Sequence, residues 1–198
     1  MTEQNQSSQD SPQDQPVPPP VQPRIFGMGP EEFATPVMVY FANRLVWGHM
    51  VTHLAIPAMR ALVGTTLPDI LTLHDAEMVS INNGQMGTPE KRNEIFIPTK
   101  EILGFHLKPP NQGKILFDET EQNRKMGSLT AFVGGFHFDA EVRIAKQTGL
   151  KNYIDVVKAE FLEIYNTQVT LPTSTVVKPV QTNIALVKRQ GVFFSSRE

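Results

Sequence analysis

Apolar and polar residues alternate along most of this chain with the two-residue period of β-strands. The pattern is sharpest in FHFDAEVRIA, residues 136–145. Phe136, Phe138, Ala140, Val142 and Ile144 share one face there, and His137, Asp139, Glu141 and Arg143 share the other. That division predicts a half-buried antiparallel strand. Upstream, PVMVYF alternates before a short turn at Asn43-Arg44, and the run from Leu45 to Ile56 is long enough for a bent strand ended by Pro57. LTLHDAEMVSI is a further strand, closed by the turn-rich NNGQMGTPE. TTLPDIL could make one helical turn, with Thr66 as N-cap and Pro68 near its start. TGLKNYIDVVKAEF predicts a short helix with Thr148 as candidate N-cap, and FLEIYNTQVTL another strand.

Two stretches have the same rhythm of short strand, polar turn and apolar run: EIFIPTKEILGFH, residues 94–106, and NIALVKRQGVFFS, residues 183–195. Each closes the same series of hairpin, short helix, strand, loop and hairpin. The order predicts one small domain written twice. Laying Leu45 on Phe136 puts Trp47 on Phe138, Val51 on Val142 and Met78 on Val169. In the closing hairpins Ile95 falls on Ile184, Lys100 on Arg189, Leu103 on Val192 and Phe105 on Phe194. The expected fold is mainly β, with two tandem five-stranded barrel-like or curved-sheet units, each carrying one short helix. The units span 36–107 and 128–198. Residues 108–127 form the linker, in which KILF could pair as an extra strand.

Under that superposition Val46, Met50, Leu54 and Ile56 lie opposite His137, Glu141, Ala145 and Gln147. A face that is polar in one copy and apolar in the other needs a cover, so these four residues are the candidate interface.

Each half resembles the small barrels of the Sm-like family. RLVWGHMV is similar to that family's second strand, with Gly48 at the bend, and LTLHDAEMV to its third. IFIPTKEILGFH is similar to the terminal hairpin that closes the family's RNA pocket, although its Arg-Gly pair is replaced here by PTK (98–100) and KRQ (188–190). The resemblance implies an alternative function, binding of RNA or another single strand. Lys100, Lys188 and Arg189 at the hairpin tips would supply charge, and Phe193 a stacking surface. Hairpin tips are also polar simply because water surrounds them.

Composition alters the picture at the N-terminus. Residues 1–24 hold six of the sixteen prolines and six glutamines, with Val17 and Val21 as the only aliphatic residues after Met1. Such a stretch buries too little to offset its ordering entropy and is read as a disordered tail, suited to tethering or partner binding. It lacks the basic start and apolar middle of a signal peptide. No apolar run is long enough for a membrane helix, and the absence of cysteine fits a cytoplasmic protein. After residue 24 acids and bases balance, which argues against a strongly electrostatic nucleic-acid binder.

Candidate chemistry is sparse. His49 and His53 are spaced for metal sharing on a helix, but on a strand they stand about 13 Å apart, so no metal site is expected. Phosphate-binding, nucleophile-elbow and zinc-protease motifs are missing, and Asp75 and Glu77 fit a solvated strand face. No catalytic residue or cofactor is therefore expected. The sequence reads as a non-enzymatic interaction or assembly module whose partner is a protein, with a homo-oligomer favoured.

Overall fold

A computed structural model describes residues 28–53, 58–61, 68–115, 117, 120–174 and 177–197. The tail of residues 1–24, and Leu54, Ile56 and Thr66, lie outside the described residues. The first half contains β1 (Glu32–Tyr40), β2 (Arg44–His53), the single-turn α1 (Ala58–Ala61), β3 (Ile70–Asn82), β4 (Gln85–Met86), β5 (Glu90–Pro98) and β6 (Gly104–Leu107). A 3-10 turn at Thr99–Glu101 joins the last two. The second half contains β7 (Arg124–Val133), β8 (Phe136–Ala145), α2 (Leu150–Val156), β9 (Phe161–Thr170), β10 (Val180–Lys188) and β11 (Phe193–Ser196).

The chain is mainly β, but it does not form two separate barrels. All eleven strands among the described residues belong to one open antiparallel sheet, ordered β11-β7-β8-β9-β10-β6-β1-β2-β3-β4, with β5 also paired to β3. The cause lies in β6. One side of it pairs with β1, Val39 opposite Phe105, and the other with β10, Leu186 opposite Phe105. The strand that could have closed the first half therefore joins it to the second.

Alternate residues of the same strands enter two cores. Val37, Val39, Val46, Met50, Ile184 and Leu186 belong to one, and Tyr40, Leu45, Ala185 and Val187 to the other. With a side-chain period of two, the sheet carries a core on each face. Each core is centred on one half and borrows side chains from the other. The alternation expected in β8 holds throughout, the five apolar residues of its inner face all being buried.

The halves repeat in structure: β3 falls on β9 and β6 on β11 as the simple count has them, while β2 on β8 and β5 on β10 are each displaced from it by one residue. In each, the long third strand carries a bulge with one residue at positive φ, Asp75 at 45° and Asn166 at 49°. The pairing shifts between Trp47 and His49 in the first half and between Asp139 and Glu141 in the second. Matching the bulges lays Val46 on Phe138, Gly48 on Ala140 and Met50 on Val142, one residue from the superposition above. A one-residue slip exchanges the two faces of a strand. Val46 and Met50, 2% and 4% exposed, are thus the counterparts of core residues and are covered within the chain.

Local chemistry explains several other departures. Asn83 (φ 50°) and Gly84 (φ 75°) make NNG a tight hairpin into β4 instead of a longer loop. Ile70 and Leu71 belong to β3, and the first-half helix lies earlier, at α1. α2 is capped by Gly149, not Thr148, and makes no side-chain cap bond. Lys114 and Ile115 form no strand; this part of the linker instead packs on the second half, where Gln112 Oε1 accepts the Asn183 amide at 2.7 Å and Phe117 meets Tyr165 edge-on at 4.9 Å.

Candidate interaction surface

The joint between the halves is built around a glycine. Val187 pairs with Gly104, and a Cβ added to Gly104 would stand 3.2–3.4 Å from Val133, Phe138 and Tyr40. A side chain there would press on all three neighbours, and its absence lets β6 approach closely. Beside it, Tyr40 plugs the second half's core, its ring lying edge-on to Phe136 and Phe138 with centroids 4.9 Å away in each case. The Tyr40 hydroxyl meets His106 Nε2 at 2.8 Å, and His106 Nδ1 meets the Leu107 carbonyl at 2.7 Å. A carbonyl only accepts, so the ring proton sits on Nδ1, and Nε2 accepts from the tyrosine. Burial holds the imidazole pKa down at about 4, against the opposing pull of the Leu107 carbonyl. The same burial raises the Tyr40 phenol far above its ordinary range.

Polar contacts staple the rim. The Lys188 amide donates to the Leu103 carbonyl at 2.8 Å, Lys188 Nζ donates to the Lys100 carbonyl, and Lys188 pairs with Glu160 at 3.3 Å. Of the basic residues marked as nucleic-acid candidates, Lys100 and Lys188 thus meet through backbone contact. Arg189 occupies the following turn, its Nε buried without a hydrogen-bond partner. Phe193 begins β11, 79% exposed. The Lys188 side chain is engaged at the joint, so the four do not form one free basic track.

Among the described residues the sheet ends at β11 on one side and at β5, with the two-residue β4 next to it on β3, on the other, and the outer sides of β5 and β11 have no partner strand. Both carry exposed phenylalanines, Phe96 at 64% and Phe193 at 79%. Beside β5 lies an open groove of about 350 Å³ with an apolar wall of Phe41, Val46, Ile95 and Ile97, edged by Arg44 and Glu101. Phe96 was missed by the sequence reading, although the signal was present. In EIFIP the outward position between Ile95 and Ile97 should be polar in a solvated strand and is aromatic instead.

Elsewhere the titratable groups pair locally. His53 lies 3.0 Å from Glu31, and His74 lies 3.1 Å from Glu94. No cluster of three metal-capable side chains occurs among the described residues, nor is any described helix long and apolar enough to cross a membrane. Comparison with protein-family models, curated proteins and solved structures finds no match to this chain.

Proposed function

We propose that this protein is a non-enzymatic assembly module built from a duplicated small β unit. The observation that carries the reading is the pair of uncovered sheet edges, each with an exposed phenylalanine, on a chain whose own halves are fused edge to edge. Uncapped apolar edges are templates for pairing with another chain, and soluble proteins ordinarily blunt them with charge, bulges or a covering segment. Within the chain one such edge contact, between β6 and β10, already unites two repeats. The alternative is Sm-like binding of single-stranded nucleic acid, for which Phe193 near Arg189 would provide stacking beside charge.

Light scattering on the purified chain over a range of concentrations, with the absorbance ratio read on the same peak, tests the reading. A nucleic-acid-free multimer is expected. A monomer at high micromolar concentration contradicts it, and a peak that carries RNA transfers the case to the alternative.

A further inference from the structure

We propose that β11 of one copy adds to the free side of β5 on a second copy, so that chains join head to tail through the contact that already fuses the two halves. The inference rests on the assembly reading above and specifies its partner and register.

The matched bulges fix which residues correspond. Because β3 pairs with β5 as β9 pairs with β10, Phe96 takes the place of Leu186, and Ile97 that of Val187. Through β1 and β7, Gly104 corresponds to Phe193 and Phe105 to Phe194. The contact inside the chain sets Leu186 against Phe105 and Val187 against Gly104. Its repeat between chains sets Phe96 against Phe194 and Ile97 against Phe193.

The surfaces fit this reading at three points. Around Gly104, the second half's pocket is walled by Val133, Phe138 and Val187 and filled by Tyr40. The counterparts of those three wall residues are Phe41, Val46 and Ile97, and all three line the open groove beside β5. The first half therefore holds an empty version of a pocket that is filled in the second. Next, the strand that brings the glycine to that pocket is β6, and its equivalent, β11, has an open outer side and carries the exposed Phe193 in place of the glycine. Last, Leu186 is fully buried whereas its counterpart Phe96 is 64% exposed, as expected if Phe96 awaits a neighbour that Leu186 already has. Pro98 replaces Lys188 and has no amide to give, so the joint between chains lacks the counterpart of the Lys188–Leu103 hydrogen bond.

One copy offers one edge of each kind. The contact is thus heterologous, and growth gives a ring where the rotation closes and an open filament where it does not.

The absence of native cysteine makes cross-linking unambiguous. Cα atoms directly opposite in an antiparallel pair stand about 4.5–5.5 Å apart, inside disulfide range. Full-length Ile97→Cys and Phe193→Cys chains, mixed and mildly oxidised, should double in mass on a non-reducing gel, while neither alone should. A second pair, Ile95→Cys with Ser195→Cys, keeps Phe193 in place and should behave likewise. A multimer that yields no mixed disulfide from either pair, or links only 193 to 193 or 97 to 97, overturns the edge pairing and leaves the assembly reading standing. A chain that is monomeric throughout overturns both.

Discussion

Protonating one histidine should loosen the protein at the joint between its halves. His106 is fully buried on β6, donates through Nδ1 to the Leu107 carbonyl and accepts the Tyr40 hydroxyl at Nε2. A second ring proton would turn that acceptor into a donor facing an O–H, in a pocket walled by Phe136 and Phe138. The folded pKa of about 4 lies below the ordinary 6.5, so between those values the unfolded chain binds more protons than the folded one. The contribution of neutral His106 is complete above the unfolded pKa and is lost as pH falls toward about 4. At 1.36 kcal/mol for each unit, the depression is linked to roughly 3 kcal/mol, a large fraction of the stability of an ordinary domain. Urea unfolding of wild type and His106→Gln between about pH 7 and pH 4 isolates this group from the carboxylates, which titrate in both proteins. The variant should start less stable and lose roughly 3 kcal/mol less over that range. Equal losses in the two proteins, or an imidazole resonance titrating near the ordinary value, would refute the reasoning.

Other perturbations separate core from edge. Phe138→Ala removes the ring against which Tyr40 packs and should cost about 3–5 kcal/mol in a denaturant melt. Gly134 sits in the β7–β8 turn at φ 58°, where an added Cβ would lie 2.5 Å from the Phe41 carbonyl oxygen. Gly134→Ala should therefore cost at least about 1–3 kcal/mol, read as a lower unfolding midpoint. Met50→Ala should cost about 2–5 kcal/mol in the same melt, because the residue is core. Phe96→Ser, at an exposed position, should change the stability of the single chain by less than about 0.5 kcal/mol while lowering the native mass.

The repeated order of elements was legible because its signals are local. Alternation exposed β8, and the matched order of elements exposed the second copy. Its registration was not legible, and β2 shows why. Leu45 and Val46 are adjacent and both buried, because one faces each core. A strand apolar on both sides offers no alternation by which to choose a face, so the count slipped by one and matched Val46 and Met50 with polar outer residues instead of the core residues Phe138 and Val142. Asp75 and Asn166, residue types that tolerate the left-handed conformation a bulge requires, already coincide in that count; the slip arises because the connection from second to third strand is one residue shorter in the second half. The open sheet was equally hidden. Periodicity marks β6 as a strand, but nothing in GFHL says that its second neighbour is β10. That choice depends on the small size of Gly104 and on Tyr40 entering the pocket of the other half, contacts set by distant parts of the chain.

The same joint supplies the most direct test of head-to-tail assembly. Phe193→Asp spoils β11 and leaves β5 intact, whereas Phe96→Asp spoils β5 and leaves β11 intact. Each variant should run at the single-chain mass in light scattering, and an equimolar mixture should reach twice that mass and stop, since only one competent joint can form. Two variants that remain multimeric alone, or a mixture that stays monomeric while wild type assembles, would contradict the account.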